Sequence, residues 1–215
     1  MVINPNVHDP EKELNYKYKE HFKQLLPEIR IIIGGPPNSG KSTLVSSLKR
    51  ALWEIGVKVN SAELDLWAPT LEFLEGRISK QERDSRKQKK VTKEEAEEAS
   101  KMLVEASQDG FIAIGDCPGR ISEELKIIVK NATHAIILCR KDQIQEIESW
   151  RKFFSEEGIP IVCELVSDLN GNEDVQISGG GLITGRLVGL DRDVGRKESP
   201  AISQLAFLLK SVLGL

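Results

Sequence analysis

The chain has 215 residues, 40% of them hydrophobic and 29% charged, with a formal net charge of −3. That is long enough to bury an aliphatic core without cross-links, and the slight negative balance gives no overall electrostatic case for nucleic acid. Cys117, Cys139 and Cys163 form no C-x-x-C pair, and His8, His21 and His134 match no metal-ligand spacing, which argues against a disulfide framework or a histidine–cysteine metal centre. No segment has the length and composition of a membrane span, and the start lacks a signal-peptide pattern, so the expectation is a cytoplasmic protein without a membrane partner.

Residues 1–9 read as a loose start. From Pro10 to Leu26, Leu14, Tyr18, Phe22, Leu25 and Leu26 recur at helical spacing, which predicts an amphipathic helix ended before Pro27. Arg30-Ile-Ile-Ile-Gly-Gly is a short β-branched run closed by glycines, the pattern of a central parallel strand. Leu44, Val45, Leu48, Leu52 and Ile55 then mark one face of a helix over 41–55, with Gly56 as its C-terminal stop. Residues 57–66 read as a second strand running into Ala68-Pro69-Thr70.

The next stretch is charged. Arg77, Lys80, Arg83, Arg86, Lys87, Lys89 and Lys90 crowd residues 77–90. Thr92 and Glu95 form a capping box for a helix carrying Ala96, Ala99, Leu103 and Ala106, ended at Asp109-Gly110. Residues 111–115 are a third buried strand, 122–131 a short helix and 134–139 a fourth strand. Asp142 and Gln145 look like another box-like start, before a helix carrying Ile144, Ile147, Trp150, Phe153 and Phe154. Gly158 and Pro160 stop it, and residues 161–166 form a fifth strand. Residues 167–198 are rich in Gly, Asp and Asn and read as a hairpin or a partly mobile loop. Ser199 and Pro200 open a last helix, cap first and proline at the first helical position. Strands alternating with helices predict a three-layer α/β/α sandwich on a mostly parallel five-strand core sheet.

The chemistry concentrates in Gly35-Pro-Pro-Asn-Ser-Gly-Lys-Ser, which fits G-x-x-x-x-G-K-[ST] at every defined position. Gly40 lets the backbone approach a phosphate closely. Successive N–H groups of the loop form an anion nest, and the following helix adds its positive dipole end. Lys41 is placed to reach the β and γ phosphates and the Ser42 hydroxyl to ligate Mg²⁺. The residues expected to hold a nucleotide are therefore Gly35, Pro36, Pro37, Asn38, Ser39, Gly40, Lys41, Ser42 and Thr43. The loop follows an apolar strand and precedes a periodic helix, the context the motif requires.

Residues 29–166 resemble the P-loop NTPase superfamily on this motif and its setting. A second element agrees: Asp116 ends the apolar run Phe111-Ile-Ala-Ile-Gly, where ligands bind in open α/β sheets. The resemblance makes Asp116 the Walker B acid, holding Mg²⁺ directly or through water. It also makes Asp116-Cys-Pro-Gly119 a D-x-x-G switch element whose Gly119 N–H contacts the γ-phosphate. Asp65, in Glu63-Leu-Asp-Leu, resembles the acid of many P-loop kinases that orients an acceptor or a metal-bound water. The alternative for Asp116 is a helix cap, and for Asp65 a solvated strand end.

Three readings stay open for the basic stretch: arginines that clamp phosphates, with Arg77, Arg83 and Arg86 first; a contact for RNA; or a solvated charged face balanced by Glu94, Glu95, Glu97 and Glu98. No aromatic residues interleave there, which weakens base stacking. The guanine signature N/T-K-x-D is absent, since Lys141 and Asp142 are adjacent in Cys139-Arg-Lys-Asp-Gln143; this favours ATP, with Ser167, Asp168 or Asn170 near the base.

ELDLWAPT (63–70), GDCPG (115–119) and GLITGRLVGLDR (181–192) also resemble the P-loop ATPase modules associated with CRISPR type III accessory (ring nuclease) proteins. The expected organisation is an N-terminal helical extension (1–28), suited to a protein partner or homodimer contact, and a nucleotide-binding domain (29–215). The latter carries a charged helical insertion (71–108), the glycine-rich segment (167–198) and a C-terminal helix (199–213). The expected function is a Mg²⁺-dependent ATPase acting as a switch or regulatory module. The alternatives are a small-molecule or nucleotide kinase using Asp65 and the arginines of 77–90, and a nucleotide sensor without turnover.

Overall fold

In strand β1 (Arg30–Gly34), Ile31, Ile32 and Ile33 are all fully buried, because a central parallel strand is covered on both faces. Ile31 and Ile33 join one apolar cluster and Ile32 the opposite one, the period-two alternation of a strand. The computed structural model describes residues 28–86, 91–191 and 198–215. The expected helix over 10–26 and the lysines at 87, 89 and 90 lie outside the described residues.

The other strands are β2 (Val59–Glu63), β3 (Ile112–Asp116), β4 (His134–Arg140), β5 (Ile161–Asp168), β6 (Asp174–Ile177) and β7 (Ile183–Val188). They form one seven-stranded sheet in the order β2-β3-β1-β4-β5-β7-β6. All neighbours are parallel except the β6–β7 hairpin. The five expected strands form its core. The glycine-rich segment is a hairpin that docks β7 alongside β5, which widens the sheet beyond the expected five. The second strand is shorter than expected and ends two residues before Asp65, whereas β3 includes Asp116.

Helix α1 (Lys41–Glu54) and α7 (Pro200–Leu213) pack against each other on one face. Leu44, Val45, Leu48 and Leu52 of α1 are fully buried there, and truncating one of them to alanine costs about 2–5 kcal/mol. Between β2 and β3 lie α2 (Thr70–Leu74), α3 (Lys80–Ser85) and α4 (Lys93–Ala106). The opposite face of the sheet is covered by α4 with α5 (Glu123–Val129) and α6 (Glu146–Glu156), whose Trp150, Phe153 and Phe154 rings pack together. No helix among the described residues is long and apolar enough to cross a membrane.

The helix ends follow the sequence with one exception. Thr92 and Glu95 form the reciprocal capping box of α4, and Ser199 caps α7 ahead of Pro200. Asp109 and Gly110 both take positive φ after α4. The box expected at Asp142 and Gln145 does not form. Helix α6 begins at Glu146 with no side-chain cap, because Asp142 is turned onto the Arg140 guanidinium, with Nε 2.8 Å from Oδ1. Ile144, expected on this helix, precedes it and is exposed.

Candidate functional site

The carboxyl ends of the strands open onto a cleft of about 840 Å³. The β1–α1 loop forms its floor. Gly35 has φ +147°, and a Cβ there would sit 1.9 Å from the Leu138 carbonyl oxygen of β4. Gly40 has φ +91°, and a Cβ there would lie 2.7 Å from Leu190 Cβ. Both positions exclude any side chain, so the glycines of the motif are demanded by the packing of this chain. Ser167 of β5 fixes the loop from the side, its hydroxyl donating to the Ser39 carbonyl at 2.8 Å.

Helix α1 starts from this loop with Gly40 at its N-cap. It has no side-chain cap and no acidic residue in its first turn. The helices α3, α4, α5 and α7 are each capped by a serine or threonine hydroxyl, and the Glu63 carboxylate accepts the Leu71 N–H of α2 at 2.8 Å. A fourteen-residue helix thus directs its open amide end and dipole into the cleft, where an anion is favoured.

Around that end stand one ammonium and three carboxyl groups. Lys41 is buried, and its Nζ donates to the Gly35 and Pro36 carbonyls at 3.0 Å each. Burial holds this ammonium below its usual pKa, opposed first by Asp116 and then by Asp65. Burial pushes the Asp116 carboxyl up to about 7, against the Lys41 ammonium and the nearby Ser42 hydroxyl, with Asp65 adding to the rise. Ser42 favours the anion electrostatically but falls short of hydrogen-bond geometry, and both Asp116 oxygens are buried with no hydrogen-bond partner. Asp65 is also raised by burial and partly held down by Lys41. Glu63 lies well above the usual carboxylate range, through burial first and then the negative charge of Asp116 and Asp65.

The surplus of carboxyl groups over Lys41 is a place for added positive charge. The orphaned Asp116 oxygens and the Ser42 hydroxyl fit a small hard cation that keeps some of its waters and takes further oxygens from a phosphate. Among the described residues no group of three or more His, Cys, Asp or Glu side chains is arranged to hold a metal by itself, so such a cation would depend on the second ligand.

Of the residues singled out from the sequence, Pro37 to Thr43, Asp65, Asp116 and Gly119 line this cleft. Gly35 and Pro36 do not; their carbonyls anchor Lys41. Arg77, Arg83 and Arg86 do not line it either. Arg77 pairs with Glu75 at 3.0 Å, Arg86 with Glu72 at 3.3 Å, and the Arg83 guanidinium pairs with Asp84 while lying 4.8 Å over the Phe73 ring. Asp168 is held by Lys141 at 3.0 Å, and Leu169 rather than Ser167 or Asn170 reaches the cleft. Glu63, Trp67, Arg120 and Leu190 were not foreseen as site residues. Glu63 takes on its role through the folding-back of α2, and Leu190 through its contact with Gly40, neither of which leaves a local sequence signal.

No protein-family model matches the chain, and no curated protein does. Among solved structures, it is similar to the septum site-determining protein MinD of Pyrococcus horikoshii OT3, complexed with Mg-ADP. The two are 16% identical over 83% of this chain and 77% of that one, with a TM-score of 0.51. A nucleotide-binding protein from Archaeoglobus fulgidus in complex with ADP is 15% identical, covering 90% of this chain and 93% of that one, at a TM-score of 0.49. The first of these shows that the architecture is the P-loop NTPase fold of MinD-type proteins.

Proposed function

We propose that this protein is a Mg²⁺-dependent ATP-binding P-loop protein that hydrolyses ATP as a switch or regulatory module. The observation that carries the reading is the buried, hydrogen-bond-free Asp116 carboxylate beside Lys41, at the uncapped N-terminus of α1. In an apolar interior such a group is costly unless a ligand completes it.

In this reading the loop amides and Lys41 bind the triphosphate, and Ser42 and Asp116 hold the magnesium ion. The metal supplies charge neutralisation on the β and γ phosphates. Asp65 orients the attacking water and accepts its proton, for which a raised pKa is suited. The absence of the guanine signature supports ATP over GTP. The Mg-ADP-bound state of the P. horikoshii MinD structure agrees with a nucleotide ligand. The resemblance of segments 63–70, 115–119 and 181–192 to CRISPR type III accessory modules supports the regulatory reading.

A phosphotransferase remains the second reading on one observation: Asp65, Trp67, Thr70 and Ser122 line the part of the cleft beyond Asp116, where an acceptor would stand. Incubation with Mg²⁺ and ATP, with every phosphate-containing product identified, separates the two. ADP and free phosphate support hydrolysis, a phosphorylated acceptor supports transfer, and nucleotide binding without products supports a sensor.

A further inference from the structure

The cleft has two arms, set by the strand order. The ends of β4, β5 and β7 bring Arg140, Leu169 and Leu190 to one side of the β1–α1 loop, and the ends of β2 and β3 bring Asp65, Asp116 and Arg120 to the other. If phosphate lies on the loop and a cation lies on Asp116, the terminal phosphate points toward the β2–β3 arm.

Arg120 stands on that arm. Its backbone is held close to the loop: a Cβ on Gly119 would lie 2.7 Å from the Pro37 nitrogen and 2.8 Å from its Cα. The turn carrying Arg120 is therefore pressed directly onto the backbone of Pro37, and only a residue without a side chain permits that approach. The Arg120 side chain lines the cleft and makes no hydrogen bond or ion pair with a described residue. Its counterpart across the loop, Arg140, is tied to Asp142, and Arg77, Arg83 and Arg86 are spent on Glu75, Asp84 and Glu72. Arg120 is thus a free guanidinium beside the place where the terminal phosphate would lie.

We infer that Arg120 is a catalytic residue that stabilises the charge developing on the transferred phosphoryl group. The inference rests on the triphosphate reading of the cleft. In the step concerned, the oxygen of water attacks the γ-phosphorus and gives its proton to Asp65. The bond from the γ-phosphorus to the bridging oxygen breaks, and its electron pair leaves with ADP. Negative charge spreads over the γ oxygens and the bridging oxygen, and the Arg120 N–H groups donate to them. A planar guanidinium suits this better than a point charge, and it acts mostly in the transition state rather than in the bound nucleotide.

The test compares the parent chain with Arg120→Ala and Arg120→Lys in two titrations, one with Mg-ADP and one with Mg-ADP plus aluminium fluoride, which mimics the phosphoryl group in flight. Both variants should bind Mg-ADP within about threefold of the parent, while Arg120→Ala loses about a hundredfold or more of the added affinity for the fluoride complex. Arg120→Lys should recover a part of it. Equal capture of the fluoride complex by parent and Arg120→Ala overturns the assignment, as does a parent that binds Mg-ADP without capturing the mimic. A parent that binds no nucleotide at all overturns the triphosphate reading itself, and the role of Arg120 with it. Thermal melts of the three proteins without ligand should coincide, which separates the effect from misfolding.

Discussion

Two charged regions of this molecule are built on opposite terms. Along residues 70–86, Arg77, Arg83 and Arg86 each meet a carboxylate, and each pair keeps at least one partner exposed to solvent. At the ends of β2 and β3, Glu63 and Asp116 are withdrawn from water with Lys41 of α1, Asp65 is half-buried, and Asp116 has no hydrogen-bond partner. Exposed pairs contribute little because water already solvates both charges. Buried charge without a partner is costly, and a fold keeps it where something else is meant to bind. The difference shows that the density of charged letters in a sequence is a poor guide to a site, whereas charge stranded at the end of an apolar strand is a good one.

The comparison is broken most sharply at Asp116. Replacing Asp116 by Ala should lower Mg²⁺-dependent ATP turnover by about a hundredfold or more. Binding of ATP measured without Mg²⁺ should stay within a few-fold. Steady-state phosphate release together with a metal-free titration checks both, and equal turnover with and without that carboxylate would remove it from the site.

Protonation gives the next effect. With its pKa at about 7, Asp116 is mostly protonated at pH 6 and mostly ionised at pH 8. A cation requires the ionised form, so Mg-ATP affinity should rise about tenfold between these values, and the rise should vanish in Asp116→Asn. The sign for stability is the reverse. A carboxyl whose folded pKa is raised holds more protons folded than unfolded, so its contribution falls as pH climbs from about 4 through 7. Without ligand, Asp116→Asn should therefore raise the melting temperature relative to the parent more at pH 8 than at pH 5.

The smallest effects belong to the paired arginines. Arg77→Ala and Arg86→Ala should change turnover less than about twofold and stability by less than about 1 kcal/mol. A large loss of activity in either would place that segment in the site after all.

What was legible in the sequence follows from distance along the chain. The loop Gly35–Thr43 could be read because its glycines, lysine and serine are contiguous, and Asp116 because an apolar run leads directly to it. The unbroken apolar run Ile31-Ile32-Ile33 marked the central strand for the same reason. Glu63 was hidden, since its partners Leu71 and Glu72 reach it only when α2 folds back. The contact of Leu190 with Gly40 joins residues from opposite ends of the domain. Arg120 carries no local signal, being a single cation after a glycine, whereas Arg77, Arg83 and Arg86 stand out in the sequence and are neutralised by their own neighbours. The hairpin of β6 and β7 stayed ambiguous because its strands are short and rich in glycine, and its pairing with β5 is a long-range contact.

The central claim, that the loop from Gly35 to Thr43 holds a nucleoside triphosphate, is tested most directly by calorimetric titration of the parent and of Lys41→Ala with Mg-ATP. The prediction is one-to-one binding by the parent and an affinity at least about tenfold lower in the variant, the loss expected from one charge-assisted bond of about 1.5–3 kcal/mol. No binding by the parent, or the same affinity in both proteins, would contradict it.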